Sequence, residues 1–492
     1  MGSSFDLTSE LQRTLGFSGF RPGQEPLIRA VLEGRDALGI LPTGGGKSVC
    51  FQLPAFLLSG IVLVVSPLVS LMEDQAGRAR KAGLRADFLT SATPATRRAG
   101  VVQRALEGRT DLLLVAPERF LVPAFRSMIP RMPVEVLAVD EAHCISQWGH
   151  DFRPAYLRIG EIRSMRVMPT LALTATATLR VRKEIEAFLL LRAPERVVGS
   201  FDRPNLAWEV RMARGHGEKL REIRSLLQDR IGASIVYAST RRAVEAVRSH
   251  LASFGLPALS YHAGLSPERR TAVQSRFLED PAPVVVATNA FGMGIDRSDV
   301  RLVIHYQLSG SLEGYYQEAG RAGRDGNPAR CVALHAERDR RIHEAFLTMS
   351  HPPENRLREL LRWLRRQFPS GETRAIPFDT LVDLFGKEGG QEGVMAGLRS
   401  LEKAGALCLE GEEFLEMLPG PPDLGRVETL RNAARAQLRG VETYARGGRC
   451  RRRIILEYFG QAVPGRSCGR CDWCLQRLSE RIMGRVLALA GR

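Results

Sequence analysis

The sequence predicts an α/β protein in which two consecutive parallel-sheet lobes are followed by two smaller, mainly helical domains. Three observations predict this. Short apolar, β-branched runs such as "VEVLAVD" (Val134 to Asp140) have the character of strands buried on both faces of a parallel sheet. A second series of strand and helix patterns follows, with "SIVYAST" (Ser234 to Thr240), "VVVATNAFGMGID" (Val284 to Asp296) and "LVIHYQL". From His351 the character changes to short amphipathic helices, and four cysteines gather near the end of the chain.

Composition bounds the possibilities. A chain of 492 residues is too long for one core and suggests about three or four domains. It has no run of about 18 apolar residues, and "MGSSFDLTSE" has neither a basic nor an apolar region. No membrane span or signal peptide is expected, and the predicted location is cytoplasmic. The net charge of +16 points to a polyanionic partner, most simply nucleic acid. Of the 70 basic residues only six are lysine, so each retained lysine invites a reason.

In the first lobe, "GFSGFRPGQEPLI" (Gly16 to Ile28) precedes a strand and a glycine-rich turn, and its best reading is a base clamp. Phe17 and Arg21 would sandwich adenine while Gln24 hydrogen-bonds its edge. "DALGILPTGGGKSVCFQLPAFLL" (Asp36 to Leu58) then runs from a strand through the turn into a helix. There Thr43, Gly44, Gly45 and Gly46 let backbone N–H groups approach phosphate, Lys47 reaches the β and γ phosphates, and Ser48 can hold Mg²⁺. The strict pattern wants glycine six residues before the lysine, and Leu41 stands there instead. At the carboxyl end of the strand ending in "DEAH", Asp140 would hold Mg²⁺ through water and Glu141 would orient or deprotonate the attacking water.

The second lobe has no phosphate loop. "AGLSPERR" carries a helix N-cap at Ser266 followed by Pro267. "YYQEAGRAGRDG" (Tyr315 to Gly326) places Gln317, Arg321 and Arg324 at i, i+4 and i+7. On one helix they would line one face and reach a γ-phosphate held by the other lobe. A site split between lobes lets hydrolysis change how tightly they close.

The ordered set "FRPGQ", "LPTGGGKS", "SPLVSLMEDQ", "APERF", "DEAHCISQWGHDFRP", "ALTATAT", "VATNAFGMGID" and "QEAGRAGRDG" resembles the RecQ family of superfamily 2 DNA helicases, from residue 10 to about 345. The resemblance implies tandem RecA-like lobes that use ATP to move 3′ to 5′ along single-stranded DNA and unwind duplex or branched DNA in repair and recombination. It implies ATP-site roles for Phe17, Arg21, Gln24, Lys47, Ser48, Asp140, Glu141, Gln317, Arg321 and Arg324. His143 and Thr174 to Thr176 would relay between ATP and DNA. Trp148, His150, Phe152 and Arg153 would form an aromatic-rich loop that touches single-stranded DNA, since bases stack on aromatic faces and arginine meets phosphates. A monomer associated with the nucleoid is expected, with single-stranded-DNA-binding protein as a further partner.

The expected domains are a first lobe over 1–205, a second over 206–346, a winged helix over 353–420 and a helical zinc-binding domain over 421–492. In the winged helix, Leu357, Leu360, Leu361 and Leu364 form an apolar stripe, and a third helix carrying Arg399 and Lys403 either enters a major groove or merely packs. Cys450, Cys468, Cys471 and Cys474, spaced C-x₁₇-C-x₂-C-x₂-C, suit tetrahedral Zn²⁺. Four thiolates also suit an iron–sulfur cluster, which would colour the protein brown. The family usually places its zinc segment directly after the motor, so the order here is switched, and a strand-separating hairpin near Phe414 is not supported. Two other readings stand beside the DNA helicase. One is an RNA helicase of the DEAH type, separable by comparing stimulation by DNA and RNA. The other is a non-unwinding DNA-binding or annealing protein, which measurable DNA-stimulated hydrolysis would dispose of.

Overall fold

The structure, a computed structural model, describes residues 6–480 apart from 43, 68, 91–92, 147, 149–151, 293–296, 387–389, 411–412, 464 and 466. Thr43 and His150 of the expected site lie outside the described residues.

The first lobe is a seven-stranded parallel sheet in the order β3-β4-β2-β5-β6-β1-β7. Its strands are β1 (Ala37–Ile40), β2 (Ile61–Val65), β3 (Ala86–Leu89), β4 (Leu112–Val115), β5 (Val134–Val139), β6 (Thr170–Thr174) and β7 (Glu195–Val198). Every residue of β1, β2, β4 and β6 is buried, as two-faced burial of β-branched runs requires. The second lobe is a six-stranded parallel sheet in the order β10-β11-β9-β12-β13-β8. It comprises β8 (Leu206–Met212), β9 (Ala233–Tyr237), β10 (Leu259–Tyr261), β11 (Val284–Ala287), β12 (Val300–His305) and β13 (Ala329–His335). The Ser266 hydroxyl caps the helix Pro267–Glu279 as expected, accepting from the Arg269 amide at 3.3 Å.

Beyond the sheets come the helices Glu354–Gln367, Phe378–Phe385 and Gly390–Lys403. With them stands a three-stranded antiparallel sheet ordered β14-β16-β15, made of β14 (Thr373–Ala375), β15 (Leu407–Glu410) and β16 (Phe414–Met417). The four-leucine stripe is buried in this module's own core. β15 and β16 form the expected hairpin; β14 was not expected, because three exposed residues carry no readable period. The helices Leu424–Arg446 and Arg451–Tyr458 lead into the cysteine cluster.

One apolar cluster runs from the first sheet (Leu38, Leu63, Leu137) through the second (Trp208, Tyr315, Tyr316) into the C-terminal segment (Tyr444, Phe459, Cys471). Phe459 is stacked on Phe201, in the segment between the sheets, at 4.5 Å and edges onto Tyr316 of the second lobe at 5.0 Å. The C-terminal segment is therefore packed against both lobes at their junction. Among the described residues no helix is long and apolar enough to cross a membrane.

Candidate active site

A cleft of about 1520 Å³ opens between the lobes and is lined by Lys47, Ser48, Asp140 and Glu141 from the first and by Gln317 and Arg324 from the second. Its geometry follows from how each wall ends its strands.

β1 gives way to a turn in which Gly44 and Gly46 have φ of +81° and +73°, conformations that disfavour a side chain. Leu41, where the strict pattern has glycine, is buried and extends the sheet, its amide donating to Thr174 O at 2.9 Å. That position directly follows β1 and keeps a sheet-like bond to β6, so no glycine is needed there. The helix Val49–Leu57 follows with no side-chain cap, its first amides donating to Gly46 O, Lys47 O and Ser48 O, so an anion would meet the glycine loop ahead of the helix. Gln24 is buried and spends its amide on the loop, donating to Gly46 O at 2.8 Å and Gly45 O at 3.3 Å. Arg21 donates to Gly44 O, and its own amide donates to Gln24 Oε1 at 2.8 Å. In this structure the pair brace the phosphate loop, whereas the sequence expectation had them facing adenine. Phe17 is half exposed at the cleft's edge, where a base could stack. Gln75, in "SPLVSLMEDQ", was given no role from sequence, yet its side-chain amide lies 3.4 Å from Ser48 Oγ.

Asp140 follows β5, is buried, and donates its backbone amide to Val65 O at 2.9 Å. Burial, then the Glu141 charge, push its carboxyl up to about 7, opposed by Lys47. Glu141 has φ of +47°, a left-handed conformation that costs a non-glycine residue about 1–3 kcal/mol and clusters at working sites. His143 Nδ1 lies 3.3 Å from Glu141 Oε2 and 2.8 Å from Thr174 Oγ1. Thr174 Oγ1 in turn donates to Thr176 O at 3.2 Å and accepts from the Thr176 amide at 3.3 Å. The relay residues thus form one hydrogen-bonded chain leading away from the acids.

The arginines arrive differently from expectation. The helix carrying Gln317 spans Leu312–Ala319 and stops at Gly320, so Arg321 and Arg324 stand on the turn beyond it and the three do not share one helical face. Gly323, at φ +53°, takes the chain out of helical geometry again before Arg324, and a side chain there would meet Asn205 Nδ2 and Asn327 O. The turn is held by Arg203, which donates to Gly320 O at 3.0 Å, Ala322 O at 2.8 Å and Gly323 O at 3.0 Å. Sequence reasoning missed Arg203, whose partners lie far along the chain. All three side chains nevertheless reach the cleft, and a Cβ built on Gly44 would sit 3.8 Å from Arg324 Cδ. Arg321 donates to Gly292 O.

Of the aromatic loop, Trp148, Phe152 and Arg153 are described, each partly buried. The Trp148 ring packs against the continuous core and carries the Arg180 guanidinium on its face at 3.3 Å. Arg153 lines the cleft and donates to Pro67 O at 3.0 Å.

The thiols of Cys450, Cys468, Cys471 and Cys474 all lie within 4.8 Å of one another, with 3.9 Å between Cys468 and Cys474 and 4.0 Å between Cys471 and Cys450. Tetrahedral zinc with bonds of about 2.3 Å puts its sulfurs about 3.8 Å apart, so the donor set fits the metal. Asp472 in the same segment pairs with Arg451 and accepts from the Val210 amide of β8 at 3.0 Å. The helix end at Phe459 accepts from Arg182 of the first lobe at 2.9 Å.

Fold and site define a two-lobed phosphate-loop NTPase. Three family models match the chain: DEAD/DEAH box helicase over residues 21–185, helicase conserved C-terminal domain over 218–326, and RecQ zinc-binding over 416–475. The ATP-dependent DNA helicase RecQ of Pasteurella multocida is 40% identical over 369 residues, 74% of this chain and 57% of that protein. The RecQ helicase of Synechocystis sp. is 35% identical over 492 residues, 96% of this chain and 99% of that protein. The probable ATP-dependent DNA helicase RecS of Bacillus subtilis is 38% identical, over 74% and 75% of the two chains. The chain belongs to the RecQ family of ATP-dependent DNA helicases. It spans little more than half the length of some relatives, 57% for Pasteurella multocida and 53% for Haemophilus influenzae. Among solved structures, the DUF1998 helicase MrfA bound to DNA superposes with a TM-score of 0.58 at 17% identity, over 89% of this chain and 65% of that one. The Mycobacterium smegmatis helicase Lhr, bound to ssDNA and AMP-PNP, gives 0.53 at 22% identity, over 87% and 62%. These likenesses place the two lobes in the RecA-like fold.

Proposed function

We propose that the chain is a DNA-stimulated ATPase that moves 3′ to 5′ on single-stranded DNA and unwinds the duplex and branched DNA met in repair and recombination. The observation that carries this is the split site, with Arg324 of the second lobe beside Gly44 in the phosphate loop of the first. In the mechanism, the loop amides and Lys47 hold the β and γ phosphates. Mg²⁺, when bound by Asp140 and Ser48, would neutralise charge on those oxygens. Glu141 orients water for in-line attack, while Arg321 and Arg324 meet the charge that develops on the γ-phosphoryl group. Gln317 senses the same group. Phe17 and Arg21 face the base, with Gln24 released from the loop as nucleotide orders it. The Glu141–His143–Thr174–Thr176 chain carries the state of the acids toward DNA.

Trp148, His150, Phe152 and Arg153 report DNA occupancy, because their loop begins beside the acids. The four cysteines hold a structural Zn²⁺ with no open position. Residues 353–420 form a winged helix whose third helix packs instead of entering a groove: it buries Val394, Leu398 and Leu401, and its Lys403 faces Phe152 of the first lobe. The test is strand displacement with ATP and Mg²⁺ on duplexes carrying a 3′ or a 5′ single-stranded tail, with matched RNA. Unwinding confined to the 3′-tailed DNA is expected; equal unwinding of both tails, or stimulation by RNA alone, would overturn the reading.

A further inference from the structure

The aromatic loop is gripped from outside the motor. Lys403, the last residue of the helix Gly390–Lys403, places its ammonium 5.4 Å from the centre of the Phe152 ring. Gln437, on the helix Leu424–Arg446, donates its side-chain amide to the Trp148 carbonyl at 2.7 Å. From the motor side, Arg180 covers the Trp148 ring and is tied to Glu184, which also accepts from Ser146 at 2.6 Å. The Ser146 hydroxyl accepts from the Trp148 amide at 3.1 Å. Gln437 and Arg153 line the same cleft that holds the phosphate loop, so the loop and its restraints share one continuous space.

A ring face takes one partner, a cation or a base. Lys403 is one of six lysines in an arginine-dominated chain and lies mostly buried, where burial, then the Arg399 charge, push its ammonium down from the ordinary lysine value. We propose that Lys403 and Gln437 are positioning residues that hold Phe152 and Trp148 in their DNA-free places, so that single-stranded DNA must displace Lys403 from the Phe152 face before a base can stack there. This rests on the reading of the loop as the DNA sensor. It gives the module between the motor and the cysteines a task in setting how much DNA is needed to switch on hydrolysis. A groove-binding role for the same helix predicts the opposite sign, because removing a cation from a DNA-contacting surface weakens binding.

The experiment measures the dissociation constant of a labelled dT oligomer, and ATPase with and without it, for wild type, Lys403→Met, Phe152→Ala and the double variant. Methionine keeps the buried stem and removes the charge. Lys403→Met is expected to tighten DNA binding about fivefold, equivalent to about 1 kcal/mol of cation–π contact, and to raise DNA-free hydrolysis. In the Phe152→Ala background the same change should have no effect. Weaker binding, unchanged binding, or an equal gain in the Phe152→Ala background would overturn the restraint. Phe152→Ala with undiminished stimulation would overturn the sensor reading beneath it, whereas impaired stimulation there with an inert Lys403→Met removes the restraint alone. Should Lys403→Met fail to fold, Gln437→Ala, which removes the bond to the Trp148 carbonyl, carries the same expectation, its effect vanishing with Phe152→Ala.

Discussion

The two parallel sheets differ in the helix start that follows β1 in one and β9 in the other. In the first lobe, β1 leads through a glycine turn to a helix whose start has no side-chain cap. In the second, β9 leads to Thr240, whose hydroxyl accepts from the Ala243 amide at 3.0 Å, while the Ser239 amide is taken by Gln307 at 3.0 Å. The first start is closed by backbone carbonyls of the glycine loop and carries that loop ahead of it for a phosphate; the second is closed by side chains and has no such loop. The same architecture thus yields a nucleotide-binding lobe and a lobe that contributes arginines, and the asymmetry resides in a few residues at one turn.

The largest expected effect comes from removing the binding lobe's cation. Lys47→Ala should lower hydrolysis by about 10²-fold or more and abolish unwinding while leaving DNA binding nearly intact. Wild-type unwinding by this variant would break the comparison. Next is the segment that touches both lobes. Cys471→Ala should lose about one zinc per chain by metal analysis and give a poorly soluble protein with a lowered melting temperature. Its contacts with Arg182 and Val210 imply that both lobes suffer. Absence of zinc from the wild type would refute the assignment.

A smaller effect is expected at the loop between the acids and the C-terminal module. Trp148→Ala should cost about 1–3 kcal/mol of DNA affinity, with the DNA-stimulated increment in ATPase falling further than affinity does. Basal and stimulated rates falling together, with a lower melting temperature, would mean that the ring serves packing alone.

The smallest is a change in stability that comes from a buried acid of the binding lobe. The Asp140 carboxyl stands near pH 7 in the fold against an ordinary value of about 3.9, so the native state keeps a proton that the unfolded chain has released. Stability falls as pH rises through that window. Asp140→Asn should therefore raise the melting temperature by a few degrees at pH 8 in magnesium-free buffer while abolishing hydrolysis. An unchanged melting temperature would contradict a carboxyl raised by burial.

Much of the site was legible because its chemistry is local. Glycines, Lys47 and Ser48 occupy one turn, and the Asp140–Glu141 pair directly follows a strand that announces itself by composition. The cysteine cluster and the four-leucine stripe were legible for the same reason. The arginine turn was only partly legible: Gly320 and Gly323 weaken a helix, but the spacing does not show that the helix ends at Ala319. The bonds from Gln24 to the carbonyls of Gly45 and Gly46 were not legible, since nothing in a motif tells that an amide also meets the backbone. The grip on the aromatic loop left no local trace: Gln437 and Trp148 are 289 positions apart, and only the packed structure joins them.

The claim that one lobe binds and the other completes the site is tested most directly on Arg324→Ala, by measuring nucleotide affinity and DNA-stimulated turnover on one preparation. Affinity within about threefold of wild type, with turnover lowered by about 10²-fold, is the predicted result, since the arginine acts on charge that develops during transfer. Turnover near wild type, or a loss of affinity as large as the loss of turnover, would contradict the account.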